Sequence, residues 1–346
     1  MRAVTFGVLF LSGLVIVIAV AAMVWSALPI SVDRKSADPA VIYANTLAGD
    51  LPEFQEGYFE FEGRQLHYVE AGEGDPIVLV HGFPSYWYSL IRQANDLRRD
   101  HRVILIDGLG AGRSDAPNNV DAYKLDKMVA HFRALLDELG IQKTHLVGHD
   151  WGAVFVYGFA QRHPEKTSTV TGISSPTLTV LLKLLETNAR QQAIAEYIER
   201  FKQANSPLLL ALGVPKRIWE NPYKQHVDNG LLTPEEGKLF RRAFSDARRI
   251  NAHINWYRAN IPAYTDITET DYWPSQGASI TVPALYIWGS KDHILLPEII
   301  PLMRQIAPNL HVIKYEGVGH WPHLQRSEEV TAAIRKLVTA EHSRDE

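Results

Sequence analysis

Seven short, strand-like runs recur along this chain, at residues 65–69, 76–80, 102–107, 144–148, 169–173, 283–288 and 310–315, with helical patterns between several of them. The clearest helical pattern covers 123–139, where Leu125, Met128, Val129, Phe132, Leu135, Leu136 and Leu139 recur at the spacing of one helix face and Gly140 then stops it. Strands this apolar, separated by helices, imply a mostly parallel sheet covered on both faces, because near-continuous apolar strands need burial on both sides. The alternation breaks over 176–276, where the composition is helical and no strand stands out. That stretch is expected to be a helical cap inserted between two parts of an α/β core, 57–175 and 277–341.

Residues 3–32 carry no charge. A bilayer core takes about 20 apolar helical residues, whereas the apolar region of a secretory signal runs to roughly 7–15. Ala19-Val20-Ala21 offers a cleavage site, but the apolar run continues through Val24, Trp25 and Leu28. Residues 1–32 are therefore expected to be an N-terminal membrane anchor or signal, with an uncleaved single-pass anchor preferred and a secreted protein if it is cleaved. Arg2 before the span and Arg34 and Lys35 after it nearly cancel as orientation signals. The short N-terminal tail places the catalytic domain outside the cytoplasm. Residues 33–56 mix Asp, Ser, Ala and Pro without a period and are expected to be a tether.

Composition excludes several functions. The 346 residues include no cysteine, which removes disulfide frameworks, thiol nucleophiles and Cys-ligated metals. The formal net charge of −4 speaks against a nucleic-acid partner, which draws a basic excess.

Two motifs are decoys. Gly112-Arg113-Ser114-Asp115-Ala116 imitates a nucleophile turn, but the strand has already ended and Pro117-Asn118-Asn119 follows where a helix is needed. Gly108-x-Gly110-x-Gly112 imitates a dinucleotide loop, yet Arg113 stands where the third glycine belongs.

The informative turn is Gly148-His149-Asp150-Trp151-Gly152, between the strand 144–148 and an apolar helical run that ends at His163-Pro164. Its pattern is small-x-nucleophile-x-small, which a tight strand-to-helix bend requires. A carboxylate there can attack carbon if the resulting ester is then hydrolysed; alternatively Asp150 merely caps the helix. Asp292 follows the strand 283–288, and His320 follows the strand 310–315. Nucleophile, acid, histidine, each after a strand, is the chain order of α/β-hydrolases. His320 and His323 as a metal pair lack supporting carboxylates.

On these residues the chain resembles an α/β-hydrolase of the epoxide hydrolase branch, related to the haloalkane dehalogenases, over roughly residues 58–338. His81-Gly82-Phe83-Pro84 is similar to the family's oxyanion motif, and the loop from Asp107 to Pro117 resembles its next loop. Asn255-Trp256-Tyr257-Arg258 resembles the segment carrying one of two cap tyrosines that hold the epoxide oxygen. Tyr197-Ile198-Glu199-Arg200-Phe201 resembles the other, although Lys202-Gln203-Ala204-Asn205 departs from the family's usual continuation. Tyr223 is a poorer match.

The resemblance implies conversion of a small apolar epoxide and water to a vicinal diol, with no cofactor and no metal. Asp150 is the implied nucleophile, His320 the base, Asp292 its partner, and Tyr197 and Tyr257 the acids. Backbone N–H groups of Phe83 and Trp151 form the implied oxyanion hole, with His81 and Pro84 supporting the loop. A haloalkane dehalogenase would use the same triad but needs a second halide donor where Phe83 stands, and a fluoroacetate-type enzyme needs Arg where Trp151 stands. A non-catalytic receptor for an apolar ligand is the remaining alternative, against which the joint triad argues.

Overall fold

The computed structural model describes residues 20–28 and 30–345. Its strands are β1 (Gln55–Phe61), β2 (Arg64–Ala71), β3 (Pro76–Val80), β4 (Arg102–Ile106), β5 (Thr144–His149), β6 (Thr167–Ile173), β7 (Ala284–Gly289) and β8 (Leu310–Tyr315). They form one eight-stranded sheet in the order β1-β2-β4-β3-β5-β6-β7-β8. β2 pairs antiparallel with β1 and with β4, and every pair from β4 to β8 is parallel. This is the mostly parallel sheet expected from apolar strands: Ile77, Val78, Leu79 and all of β5 are buried. Two helix pairs pack on it, Leu125–Glu138 with Trp151–Arg162 and Ile91–Leu97 with Ser327–Asp345.

The order reverses at β3, whose neighbours are β4 on one side and β5 on the other. Open α/β sheets bind ligands at such a point, beyond the carboxyl ends of the strands. Gly82-Phe83 follows β3, Asp150 follows β5, Asp292 follows β7 and His320 follows β8, so all four lie at that end. Between β6 and β7 the chain runs through helices from Leu178 to Asn260, and they roof the same end. Two of them, Glu196–Gln203 and Asn255–Asn260, pack on each other.

The N-terminal expectations are corrected. Residues 1–19 and 29 of the expected span lie outside the described residues; residues 20–27 form a helix. Among the described residues no helix is long and apolar enough to cross a membrane. Within the described part, Trp25 is engaged with protein, since the Arg248 guanidinium sits over its ring at 5.2 Å. The expected transmembrane helix, the membrane as a partner and the localisation drawn from them are therefore overturned.

Residues 33–56, expected as a tether, hold the helix Pro39–Thr46, capped by Asp38 Oδ1 accepting from the Ala40 N–H at 2.9 Å. Asp38 Oδ2 also accepts from Trp87 Nε1 at 2.9 Å, and Arg34 pairs with Asp115 at 2.5 Å, fastening this stretch to the core. β1 was not among the seven expected strands. It is an edge strand, partly exposed along its length and carrying Glu56, Gly57 and Glu60, so it lacks the apolar run that marks the others.

Candidate active site

The chain leaves β5 at Gly148-His149, turns at Asp150 and enters the helix Trp151–Arg162. Asp150 has φ 54° and ψ −122°, a conformation that costs a non-glycine residue about 1–3 kcal/mol and persists only where its surroundings force it. Here they do. A Cβ at Gly148 would stand 2.2 Å from the Gly152 carbonyl oxygen, and one at Gly152 would stand 2.0 Å from that of Val80. The bend closes only with glycine on both sides. Asp150 makes no side-chain cap bond to the helix, so helix capping does not account for it.

The chain after β3 crosses close above this bend, and a Cβ at Gly82 would meet the Asp150 Cβ at 2.4 Å. That approach lets the Phe83 N–H donate to Asp150 Oδ1 at 2.8 Å. The other oxygen, Oδ2, lies 3.4 Å from His320 Nε2. His320 Nδ1 is 2.8 Å from Asp292 Oδ2, while Asp292 Oδ1 accepts from the Ile294 and Leu295 N–H groups at 2.8 and 3.2 Å. The three residues that the sequence separates are thus one chain of contacts.

Electrostatics couples them. Burial opposes the Asp150 charge, but the hydrogen bond and charge of His320, with His149 and the Phe83 N–H, hold its carboxyl below the usual carboxylate range. Burial likewise opposes an imidazolium at His320, yet the Asp292 charge and the bonds to both carboxylates push its pKa up to about 10. As drawn, the site is a carboxylate–imidazolium–carboxylate row.

Across a cavity of about 630 Å³ the cap presents Tyr197 and Tyr257, which line it together with Asp150, Phe83 and His320. The two tyrosine rings lie 6.2 Å apart and nearly perpendicular, and Tyr257 is set edge-on between Phe83 at 5.4 Å and Trp151 at 5.1 Å. Burial and the nearby Asp150 charge push both phenols above their ordinary value, so both are protonated donors at neutral pH. Tyr223, the rival cap tyrosine, is committed elsewhere: its hydroxyl donates to the Pro84 carbonyl and its ring stacks on Phe240.

The remaining expected residues also have definite places. His81 Nδ1 donates to the Gly82 carbonyl at 2.8 Å, its Nε2 accepts from the Gly108 N–H at 3.2 Å, and its ring stacks on Trp256. Trp151 is the first residue of its helix, where backbone N–H groups have no intrahelical partner. Ser114 is buried, donating to the Asp107 carbonyl at 2.6 Å and accepting from the His67 N–H at 2.8 Å, so that decoy is a loop brace. Among the described residues, the side chains that could gather around a metal are Asp38, Glu56 and His67, with ligand atoms within 4.8 Å of one another. His67 is already bound to Asp107 at 2.7 Å and Arg113 stands 3.6 Å from Glu56, so the group is balanced as an ion network.

Three residues that sequence reasoning did not single out hold this geometry. His149 Nε2–H donates to the His320 carbonyl at 2.9 Å. Gln191 bridges the cap to the loop after Asp292, donating to the Ile294 carbonyl at 2.8 Å and accepting from the Leu296 N–H at 3.1 Å. Arg258 donates to the carbonyls of Phe201, Lys202 and Ala204 at the end of the helix that carries Tyr197. Only Arg258 and His149 sit next to a recognisable motif residue, and that adjacency is the one signal the sequence offers.

An aspartate on a strained strand-to-helix elbow, backed by a histidine and a second aspartate under a helical cap, defines a hydrolase. A profile of the alpha/beta hydrolase fold family matches residues 75–327, and the chain belongs to that family. It is 28% identical over 291 residues to mouse (Mus musculus) epoxide hydrolase 4, spanning 82% of this chain and 79% of that one. An epoxide hydrolase from hot-environment metagenomes matches with a TM-score of 0.72 at 26% identity, covering 82% of this chain and 98% of its own. The Bacillus megaterium epoxide hydrolase, solved with an inhibitor, shares the fold at a TM-score of 0.72 and 24% identity, covering 82% of this chain and all of its own.

Proposed function

We propose that this hydrolase opens epoxides to vicinal diols through an ester on Asp150. The observation that carries the reading is the placement of the Asp150 carboxylate, gripped at Oδ1 by Phe83 and facing two protonated cap tyrosines across the cavity. Oδ2, the oxygen not held by the Phe83 N–H and paired only loosely with His320 at 3.4 Å, attacks an epoxide carbon from the side opposite the breaking C–O bond. The leaving oxygen accepts hydrogen bonds from Tyr197 and Tyr257 and takes a proton from one of them. A halide leaving group would need no proton, and the Phe83 side chain offers it no N–H.

Ester formation changes the electrostatics in the direction the second step needs. It removes the Asp150 charge, one of the two that hold His320 protonated. His320 then gives up its proton, which restores the tyrosine, and takes another from water as that water attacks the Asp150 Cγ. Asp292 holds the imidazole tautomer and steadies its charge. The tetrahedral oxyanion forms on Oδ1, already at the Phe83 N–H, with the Trp151 N–H as second donor; such donors are worth roughly 2.7–4 kcal/mol each. Collapse of the intermediate expels the diol oxygen, which takes the proton of the new carboxyl group, and returns ionised Asp150 and protonated His320.

A single turnover in heavy-oxygen water tests this scheme. The first diol is expected to carry unlabelled oxygen, with the label left in Asp150. His320→Gln is expected to accumulate a substrate-mass adduct on Asp150. Labelled diol from the first turnover, with no adduct in the variant, sinks the two-step scheme.

A further inference from the structure

We propose that the site selects its epoxides by shape, accepting one large substituent on one ring carbon and nothing larger than a methyl group on the other. The proposal rests on the epoxide reading above and deepens it.

Asp150, Tyr197 and Tyr257 line not one cavity but two. One is the space of about 630 Å³ already described; the other, of about 20 Å³, shares these residues but is otherwise walled by different ones. An epoxide whose oxygen faces the tyrosines and whose carbon faces Asp150 sits where the two cavities share these residues, so a substituent on one carbon enters one arm and a substituent on the other carbon enters the other. The large arm is open enough for a bulky group. The small arm, of about 20 Å³, holds about one water-sized group, since a single water needs about 10–15 Å³.

The small arm cannot swell cheaply. Its walls include Leu181, Ala195, Ile198, Ile261 and Leu295, all buried in the packed contact between cap and core. Forcing extra methylenes into such packing drives side chains off their rotamers. Away from the reacting groups Asp150, Tyr197 and Tyr257, its polar side chains are Ser175 and Gln191, and Gln191 spends its amide on Ile294 and Leu296. Hydrogen or methyl is what fits. The chemical class is therefore terminal epoxides of apolar compounds and their methyl-substituted analogues.

The test is a panel with one constant arm: 1,2-epoxyhexane, trans-2,3-epoxyheptane and trans-5,6-epoxydecane, compared by kcat/KM for the wild-type enzyme. Each methylene rejected by a tight pocket is worth roughly 10–200-fold, so the decane epoxide is expected to fall at least about 100-fold below the hexane epoxide. The heptane epoxide is expected within about tenfold of it. Leu181→Ala and, independently, Ile261→Ala should gain conversion of the decane epoxide by about tenfold or more, a gain that no folding defect produces. Equal turnover of the hexane and decane epoxides overturns this inference and leaves the activity standing. Failure of wild type to convert any of the three overturns the activity, and this inference with it.

Discussion

His149 Nε2–H donates to the backbone carbonyl of His320 at 2.9 Å, and the two rings lie 5.2 Å apart. His149 ends β5, immediately before Asp150, so one dipeptide fixes both Asp150 and the loop carrying His320. Burial, and then the charge of His320, push the His149 pKa down to about 3, which keeps it a neutral donor through the working range. Its effect should fall on the step that uses His320. His149→Leu is expected to slow ester breakdown by about 10–100-fold while ester formation changes little, so that adduct accumulates. His149→Gln, which retains a donor, should recover much of the loss. Equal slowing of both steps in a rapid-quench experiment, with no rescue by Gln, would falsify this role.

The tyrosines act on the other step. Tyr257 is wedged between Phe83 and Trp151 and cannot be replaced by a neighbour, so Tyr257→Phe is expected to lower the rate of ester formation by about 100-fold or more, the usual reach of a positioned proton donor. Tyr197→Phe should act on the same step, and removing both should leave substrate binding but no detectable adduct. Adduct forming at the wild-type rate in the double variant would assign the oxygen-binding role elsewhere.

The Asp150–His320–Asp292 row was legible because each part leaves a local mark: small residues flank the Asp150 bend, and Asp292 and His320 each follow an apolar strand. What the sequence hid depends on contacts between distant positions. His149 meets His320 across 171 residues and Gln191 meets Ile294 across 103, and nothing near either glutamine or histidine announces its partner. The N-terminal misreading has a different cause. An uncharged run does not by itself say what lies against it: in the described helix 20–27 Trp25 lies under Arg248 of the cap, while Val20, Met23 and Val24 are exposed. The helix Pro39–Thr46 leaves no period in the sequence because only Ala40, Val41 and Ala44 of it are buried, too short a stripe to show one.

The buried ion network beneath β2 should make stability fall with alkalinity. Burial opposes a charge on His67, but Asp107 at 2.7 Å and Glu56 at 3.5 Å push its pKa up to about 9. A group whose folded pKa lies above its ordinary value of about 6.5 contributes its full stabilisation below that pH and loses it as the pH rises through about 9. Wild-type Tm is therefore expected to drop between about pH 7 and pH 9.5. His320 adds to the slope in the same direction. His67→Gln leaves Asp107 without its cation, so near pH 6.5 it should cost about 3 kcal/mol or more and show a flatter profile above that. A wild-type Tm that stays level across this range would mean His67 is neutral in the folded protein.

Arg258 sets the spacing of the two phenols without itself lining either cavity. From the helix Asn255–Asn260 its guanidinium reaches the carbonyls of Phe201 at 3.2 Å, Lys202 at 3.1 Å and Ala204 at 2.6 Å, the open end of the helix Glu196–Gln203. It also binds the Asn251 carbonyl at 2.9 Å and Asn255 Oδ1 at 2.6 Å, so it is fully spent as a clamp. This explains why the departure at Lys202-Gln203-Ala204-Asn205 does not displace Tyr197: the helix is closed by a side chain from the Tyr257 segment, not by its own continuation. A charged hydrogen bond is worth about 1.5–3 kcal/mol, so Arg258→Ala should lower stability by at least that much. Lys has no planar fork and cannot reach three carbonyls at once, so Arg258→Lys should restore little. In variants that remain folded, ester formation should slow while breakdown of a preformed ester does not, because only the tyrosines are displaced. If breakdown slows instead, the clamp acts on the Asp292–His320 side and the link between the two phenols is not its work.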